Sequence, residues 1–257
     1  MCVVALAWNA HPRWRLVLAG NRDEYHGRPA APLARWEDRP ALIAGRDLQS
    51  GGTWLGVSDR GRCVVVTNLR GFGLPEPGRP SRGALVTGLL DGDDPESVAI
   101  DAYNPVNLIA LDRERAYFLS NRPEPQRTAL APGLYGLSNG RLDEPWPKTM
   151  RLKSALLDWL TGPADTPERL FDPLREERLP AIGLDPATPS DVPREPNHSP
   201  IFILDPVYGT RCSSVVAIDR EGQGLFLERR FAADGTTTGE TRLSFQWRAE
   251  PDQTTSS

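Results

Sequence analysis

The run Met1-Cys2-Val3-Val4-Ala5-Leu6-Ala7-Trp8, the turn Asn9-Ala10-His11-Pro12 and the run Trp14-Arg15-Leu16-Val17-Leu18-Ala19-Gly20 decide how this 257-residue chain is read. Both runs are apolar and lean toward β-structure, and turn formers separate them, so they predict a strand pair that begins at the N-terminus. The polar string Asn21-Arg22-Asp23-Glu24 follows at once, which puts it at the end of the second strand. A hairpin turning at residues 9–13 lays the end of its second strand beside the start of its first. Asn21, Arg22 and Asp23 are therefore expected next to Cys2.

Working outward, residues 53–58 and 62–68 repeat the arrangement around Asp59-Arg60-Gly61, a second hairpin. Ser81 caps a helix running to about residue 90, and Asp94-Pro95-Glu96, a cap followed by proline, opens a second short helix. Residues 107–111 and 115–120 form a further hairpin, and a strand at 134–138 leads into Asn139-Gly140. From Pro147, Leu152, Ala155, Leu156, Trp159 and Leu160 recur at helical spacing and predict an amphipathic helix. Thr166-Pro167-Glu168 starts another. The proline-rich stretch 179–200 reads as a long surface loop able to cover a site. Strands are expected at 201–204, 213–218, 224–231 and 241–247. Grouped strands with short connections argue for α+β with antiparallel sheets, best met by two packed sheets with helices outside. We expect a single domain over residues 1–248 and a disordered polar tail at 249–257.

Composition narrows the function. With 39% hydrophobic residues, 23 Gly and 25 Pro, the chain can build a core without disulfides or a structural metal. Its 30 basic and 34 acidic residues lack the basic excess of a nucleic-acid footprint. Apolar runs fall far short of the roughly 18 residues a membrane-spanning helix needs, and no signal-peptide pattern opens the chain. A cytoplasmic protein is expected. Cys2, Cys63 and Cys212 are odd in number and widely spaced, as reduced thiols are. His11, His26 and His198 show no zinc or haem-attachment spacing, and no phosphate-binding glycine loop follows a strand.

Cys2 is the sharpest chemical feature. Its small side chain permits removal of Met1, which leaves a thiol and an α-amine on one residue; such an amine titrates near 7.7 to 8.0 and can serve as the base for its own nucleophile. Cys2 also reads as a small apolar residue opening a strand. An arginine beside it, Arg22, lowers a thiol pKa, and Asp23 could hold the amine, although a solvated charged turn is the plainer reading. Asn68 and Asn139 end strands and offer amide donors of the oxyanion-stabilising kind, yet Asn is also ordinary turn chemistry. Arg211 opens a strand and suits either a carboxylate or phosphate ligand or a structural ion pair, whereas Cys212 reads as core. Gly136-Leu137-Ser138-Asn139-Gly140 matches the nucleophile-elbow string, but the helix that motif needs starts too late after Ser138.

Met1-Cys2, Asn21-Arg22-Asp23-Glu24, Gly51-Gly52-Thr53-Trp54-Leu55-Gly56, Val66-Thr67-Asn68, Leu137-Ser138-Asn139 and Tyr208-Gly209-Thr210-Arg211, in this order, resemble the NRDE family, proteins similar to transport and Golgi organisation protein 2. The family looks like a branch of the N-terminal-nucleophile hydrolases, near the penicillin V acylase and bile-salt hydrolase group. That resemblance implies a four-layer αββα sandwich and a processed cysteine that attacks an amide. Carried over, the site is Cys2 as nucleophile, Arg22 and Asp23 as tuning groups, Asn68 and Asn139 as oxyanion or amine-positioning groups, and Arg211 as a later arginine. The implied activity is hydrolysis of a linear, non-peptide carbon–nitrogen bond in a small-molecule amide through a Cys2 acyl-enzyme, with no cofactor required. The association of eukaryotic members with haem mobilisation and acyl-CoA or lipid handling implies an alternative, a non-catalytic haem or acyl-CoA carrier using the same pocket. A scaffold for protein partners has only the stretch 179–200 behind it, and oligomeric state stays open.

Overall fold

A computed structural model describes residues 2–178 and 200–247. Its first two strands are those of the opening stretch, β1 (Cys2–Trp8) and β2 (Trp14–Tyr25), paired antiparallel with Cys2 opposite Arg22 and Val3 opposite Asn21. The rest of the chain supplies β3 (Ala30–Arg35), β4 (Leu42–Asp47), β5 (Leu55–Ser58), β6 (Arg62–Asn68), α1 (Arg82–Asp91), β7 (Val106–Leu111) and β8 (Ala116–Ser120). There follow β9 (Gln126–Ala129), β10 (Gly133–Leu137), α2 (Pro147–Thr161), α3 (Phe171–Leu174), β11 (Tyr208–Asp219), β12 (Gln223–Phe231) and β13 (Thr237–Gln246). One sheet runs β10-β1-β2-β11-β12-β13 and the other β3-β4-β5-β6-β7-β8-β9, every pairing antiparallel.

Alternation along β1 builds two of the three layers of packing. Val4, Leu6 and Trp8 face the second sheet and meet Leu55, Val65 and Ile109 between the sheets. Val3, Ala5 and Ala7 face outward beneath Leu152, Leu156 and Leu160 of α2. On the far side Leu85, Val86, Leu89 and Leu90 of α1 cover Leu42, Ala44, Val64 and Val66. The order is α2, sheet, sheet, α1, the expected four-layer αββα sandwich. Strands covered on both faces read as continuous apolar runs, as Cys2–Trp8 does.

Several expectations need correction. The string Asn21-Arg22-Asp23-Glu24 does not end β2 but lies inside it, because β2 continues to Tyr25 against β11. The helix expected from Asp94 is a single capped turn, with Ser97 and Val98 N–H on the Asp94 carbonyl, then a 3-10 turn at Ile100–Ala102. Residues 201–204 are not a strand. Ile201 and Phe202 are buried, and this segment bonds to Glu176 and Thr210 outside either sheet. The helix expected at Thr166 forms as a 3-10 turn, Pro167–Leu170, that runs into α3. Most of the loop expected at 179–200 and the tail at 249–257 lie outside the described residues. Among the described residues no helix is long and apolar enough to cross a membrane.

Candidate functional site

Cys2 starts an inner strand with its side chain on the face shared with Val4 and Leu6, at the mouth of the space between the sheets. There it lines a cavity of about 540 Å³ together with Arg22, Asp23, Asn68 and Arg211. The cavity's far wall is the β4–β5 loop and the start of α1. Gly52 makes that wall, because a Cβ at Gly52 would collide with the backbone of Gly83. Only glycine lets the loop bearing Thr53 and Trp54 approach the helix so closely.

The alternation of β2 splits the Asn-Arg-Asp-Glu string between two faces. Asn21, opposite Val3, is buried on the outer face and is not in the site. Its amide donates to the carbonyls of Leu174 (2.8 Å) and Ile201 (2.9 Å), and its oxygen accepts from the Ser213 hydroxyl (2.7 Å). Arg22, opposite Cys2, reaches Asp47 at 3.1 Å and Glu24 at 3.9 Å. Asp23 is 4% exposed; its Oδ1 accepts from the Thr210 hydroxyl at 2.7 Å, and its carbonyl accepts from the Tyr208 hydroxyl at 2.9 Å. Burial pushes the Asp23 carboxyl up from its ordinary range, against the pull of the N-terminal ammonium and Lys148. Burial likewise pushes the Cys2 thiol up, opposed first by the N-terminal ammonium and also by the Asp23 backbone N–H and Arg22.

The two asparagines divide their work. Asn139 is buried, its Oδ1 accepts from the Cys2 backbone N–H at 3.4 Å, and its Nδ2 donates to the Asn68 carbonyl at 2.7 Å. One of the two Nδ2 hydrogens is thus engaged, and the Oδ1 faces the nitrogen of Cys2. Asn68 is exposed and lines the cavity, and its side-chain amide bonds to no described residue. Its N–H donors are therefore open to the cavity. Ser138 donates to the Cys2 carbonyl at 2.7 Å, and α2 begins only at Pro147, so the Gly136–Gly140 string is not a strand-to-helix elbow.

Arg211 is the extra residue of a β-bulge, since Thr210 pairs with Asp23 and Cys212 with Arg22. One of its nitrogens donates to the carbonyls of Tyr25 (2.8 Å) and Arg28 (2.9 Å), and burial lowers its pKa. Cys212 is buried but also lines the cavity beside Arg22, so it is more than core. Cys63 lies between the sheets, where burial pushes its pKa up to about 12.

Two cations escaped the sequence reading. Lys148, in the first turn of α2, is fully buried within electrostatic reach of Asp23 and Cys2, and burial lowers its pKa to about 8. Arg82, at the start of α1, lines the cavity within electrostatic reach of Cys2, and burial lowers its pKa too. The signal was present: both occupy a first helical turn, where the dipole favours acids and disfavours cations. No acid stands in either turn.

Two packed antiparallel sheets between helices, with a cysteine heading an inner strand at the cleft, have the architecture of the N-terminal-nucleophile hydrolases. Among solved structures, a Caenorhabditis elegans N-acylethanolamine-hydrolyzing acid amidase ortholog aligns with a TM-score of 0.51 at 12% identity, covering 83% of this chain and 92% of that one. A Clostridium perfringens conjugated bile acid hydrolase aligns with a TM-score of 0.51 at 7% identity, covering 95% and 92%. These likenesses show the fold. The sequence profile described as Transport and Golgi organisation 2 matches residues 1–233, and the chain belongs to that family. The Homo sapiens Transport and Golgi organization protein 2 homolog is 32% identical over 94% of this chain and 97% of its own length. The Drosophila melanogaster Transport and Golgi organization protein 2 is 24% identical over 89% and 91%.

Proposed function

We propose that the protein is an N-terminal-nucleophile amidohydrolase that cleaves a linear, non-peptide amide through a thioester on Cys2 once Met1 has been removed. The observation that carries this reading is the surroundings of Cys2: it opens onto the cavity opposite Arg22, with its backbone nitrogen 3.4 Å from Asn139 Oδ1. A buried thiol whose pKa is pushed up needs a base, and the liberated α-amine of the same residue is that base. Asn139 orients the amine, and Asp23 stabilises it when it carries the proton. Sγ adds to the amide carbon, the thiol proton passes to the α-amine, and the Asn68 amide donates to the developing oxyanion. Collapse breaks the carbon–nitrogen bond, with the proton passing from the α-amine to the departing nitrogen. Water then hydrolyses the thioester by the same relay. The names of the two structural neighbours, an amidase and a hydrolase, support this choice of chemistry.

Intact mass of the untagged protein, followed by acyl-enzyme trapping with a panel of amides, tests the proposal. Loss of Met1 and an acyl adduct that disappears in Cys2→Ala are expected. Met1 on the whole population, or turnover undiminished in Cys2→Ala, removes the mechanism. The size of the cavity favours the second reading in that event, a carrier of haem or acyl-CoA in the same space. Binding of either ligand at micromolar concentration supports it.

A further inference from the structure

The charges around the cavity do not cancel. Arg22 and Arg28 share Asp47 and Glu24, a quartet of zero net charge. Arg230 pairs with Glu228 at 3.0 Å, Arg46 with Asp38 at 2.8 Å and Arg79 with Glu76 at 2.9 Å. Asp23 lies within electrostatic reach of buried Lys148, which offsets it; Arg82 and Arg211 remain, and among the described residues neither has a carboxylate within ion-pair distance. Arg82 donates from one nitrogen to the Pro105 carbonyl at 3.0 Å, and Arg211 donates from one nitrogen to two carbonyls. A guanidinium carries five N–H donors, so most of those on Arg82 and several on Arg211 meet no acceptor among the described residues. Both side chains are only partly exposed and both line the cavity. Burial lowers the pKa of both; a second arginine adds to this, Arg28 for Arg82 and Arg22 for Arg211, while the more distant Glu24 carboxylate opposes it at each without pairing with either. Desolvating cations beside like charges is costly, and a fold gains nothing from it unless an anion enters. Trp54, Val66, Pro32 and Phe231 add apolar surface to the cavity lining.

We infer that the cavity takes an amphipathic anion, an acyl compound bearing a carboxylate or phosphate group, with Arg82 and Arg211 receiving the anionic group and the apolar surface receiving the chain. Combined with the amidohydrolase reading, on which this part rests, the substrate is an N-acyl amino acid or an N-acyl aminoalkyl phosphate rather than a neutral N-acyl alcohol amine. Arginine suits this task because its planar fork binds either oxyanion through paired charge-assisted hydrogen bonds.

The test uses the full chain carrying Cys2→Ala, which binds without turning over. Calorimetry compares three probes of one chain length: N-dodecanoylglycine, N-dodecanoylaminoethyl phosphate and neutral N-dodecanoylethanolamine. At least one anionic probe is expected to bind about tenfold more tightly than the neutral one. That preference should weaken between about 50 and about 500 mM salt. Arg82→Gln and Arg211→Gln are each expected to shrink the preference, and Arg82→Lys to retain part of it. If Arg82→Gln does not fold, the salt series and Arg211→Gln carry the result. Equal affinity for neutral and anionic probes, no binding of any probe, or equal weakening of all probes in the Gln variants overturns the inference. Charge preference without an acyl-enzyme in the parent protein removes the hydrolase reading alone. Turnover of amides without charge preference removes this one alone.

Discussion

Replacing Lys148 with methionine changes the pH dependence of stability in a direction the structure dictates. Its pKa is about 8 in the folded protein against an ordinary lysine value of 10.5, chiefly because burial disfavours the ammonium. Between those values the unfolded chain holds a proton that the native chain does not, so stability due to this residue rises with pH. The slope is about 1.4 kcal/mol per pH step, and from about pH 7 to about pH 10 the gain is about 2.5 kcal/mol. The ammonium form costs stability below about 8, and that cost is relieved as pH climbs toward 10.5. In Lys148→Met the contribution vanishes. Urea unfolding of parent and variant at several pH values in this window, under reducing conditions, gives the difference in unfolding free energy. That difference should rise with pH in favour of the parent. Its intercept also contains the loss of Lys148 as a neighbour of buried Asp23, so the slope carries the test. A difference constant to within about 0.5 kcal/mol across the window would refute a depressed Lys148.

Two further outcomes are expected. Asn21→Ala removes a buried amide that holds the Leu174 and Ile201 carbonyls and accepts from Ser213, so it should cost about 2 to 5 kcal/mol in denaturant unfolding. At a pH where that variant stays folded, the rate of Cys2 alkylation should change little, and a large change would contradict the placement of Asn21 outside the site. Iodoacetamide labelling followed by peptide mass analysis should modify Cys2 before Cys63, since Cys2 lines the cavity whereas Cys63 lies in the inter-sheet core with its pKa raised to about 12. Earlier labelling of Cys63 in folded protein would contradict that order.

The pairing of the first hairpin was legible because hydrophobic runs of fixed length flank one turn, and the Cys2–Arg22 neighbour relation followed from it. The continuation of β2 through a polar string was not, because its partner β11 comes almost two hundred residues later and supplies the missing pairing. β3 and β9 escaped for another reason. Both are edge strands of the same sheet, mostly exposed, and β3 carries Pro32, so neither shows the apolar alternation that marks a half-buried strand. Within the site, Cys2 and Asn68 were found at strand ends, whereas Arg22, Asp23 and Arg211, expected at strand ends, lie inside β2 and β11 because those two strands extend each other. Lys148 and Arg82 were not found: a cation in an acid-free first helical turn marks an oddity in the sequence, but that it is buried against the site is a tertiary outcome that periodicity does not encode.

The alternation of β2 makes one strand answer to two masters. Asn21 fastens α3 and the segment at Ile201 on one side, while Arg22 and Glu24 face the cavity on the other. A slip of one residue against β1 or β11 exchanges these audiences, burying Arg22 under the helices and presenting Asn21 to the cavity. Docking of the outer layer therefore acts as a proofreading step for the reactive one: a chain that has not seated Asn21 correctly has not set Arg22 opposite Cys2 either.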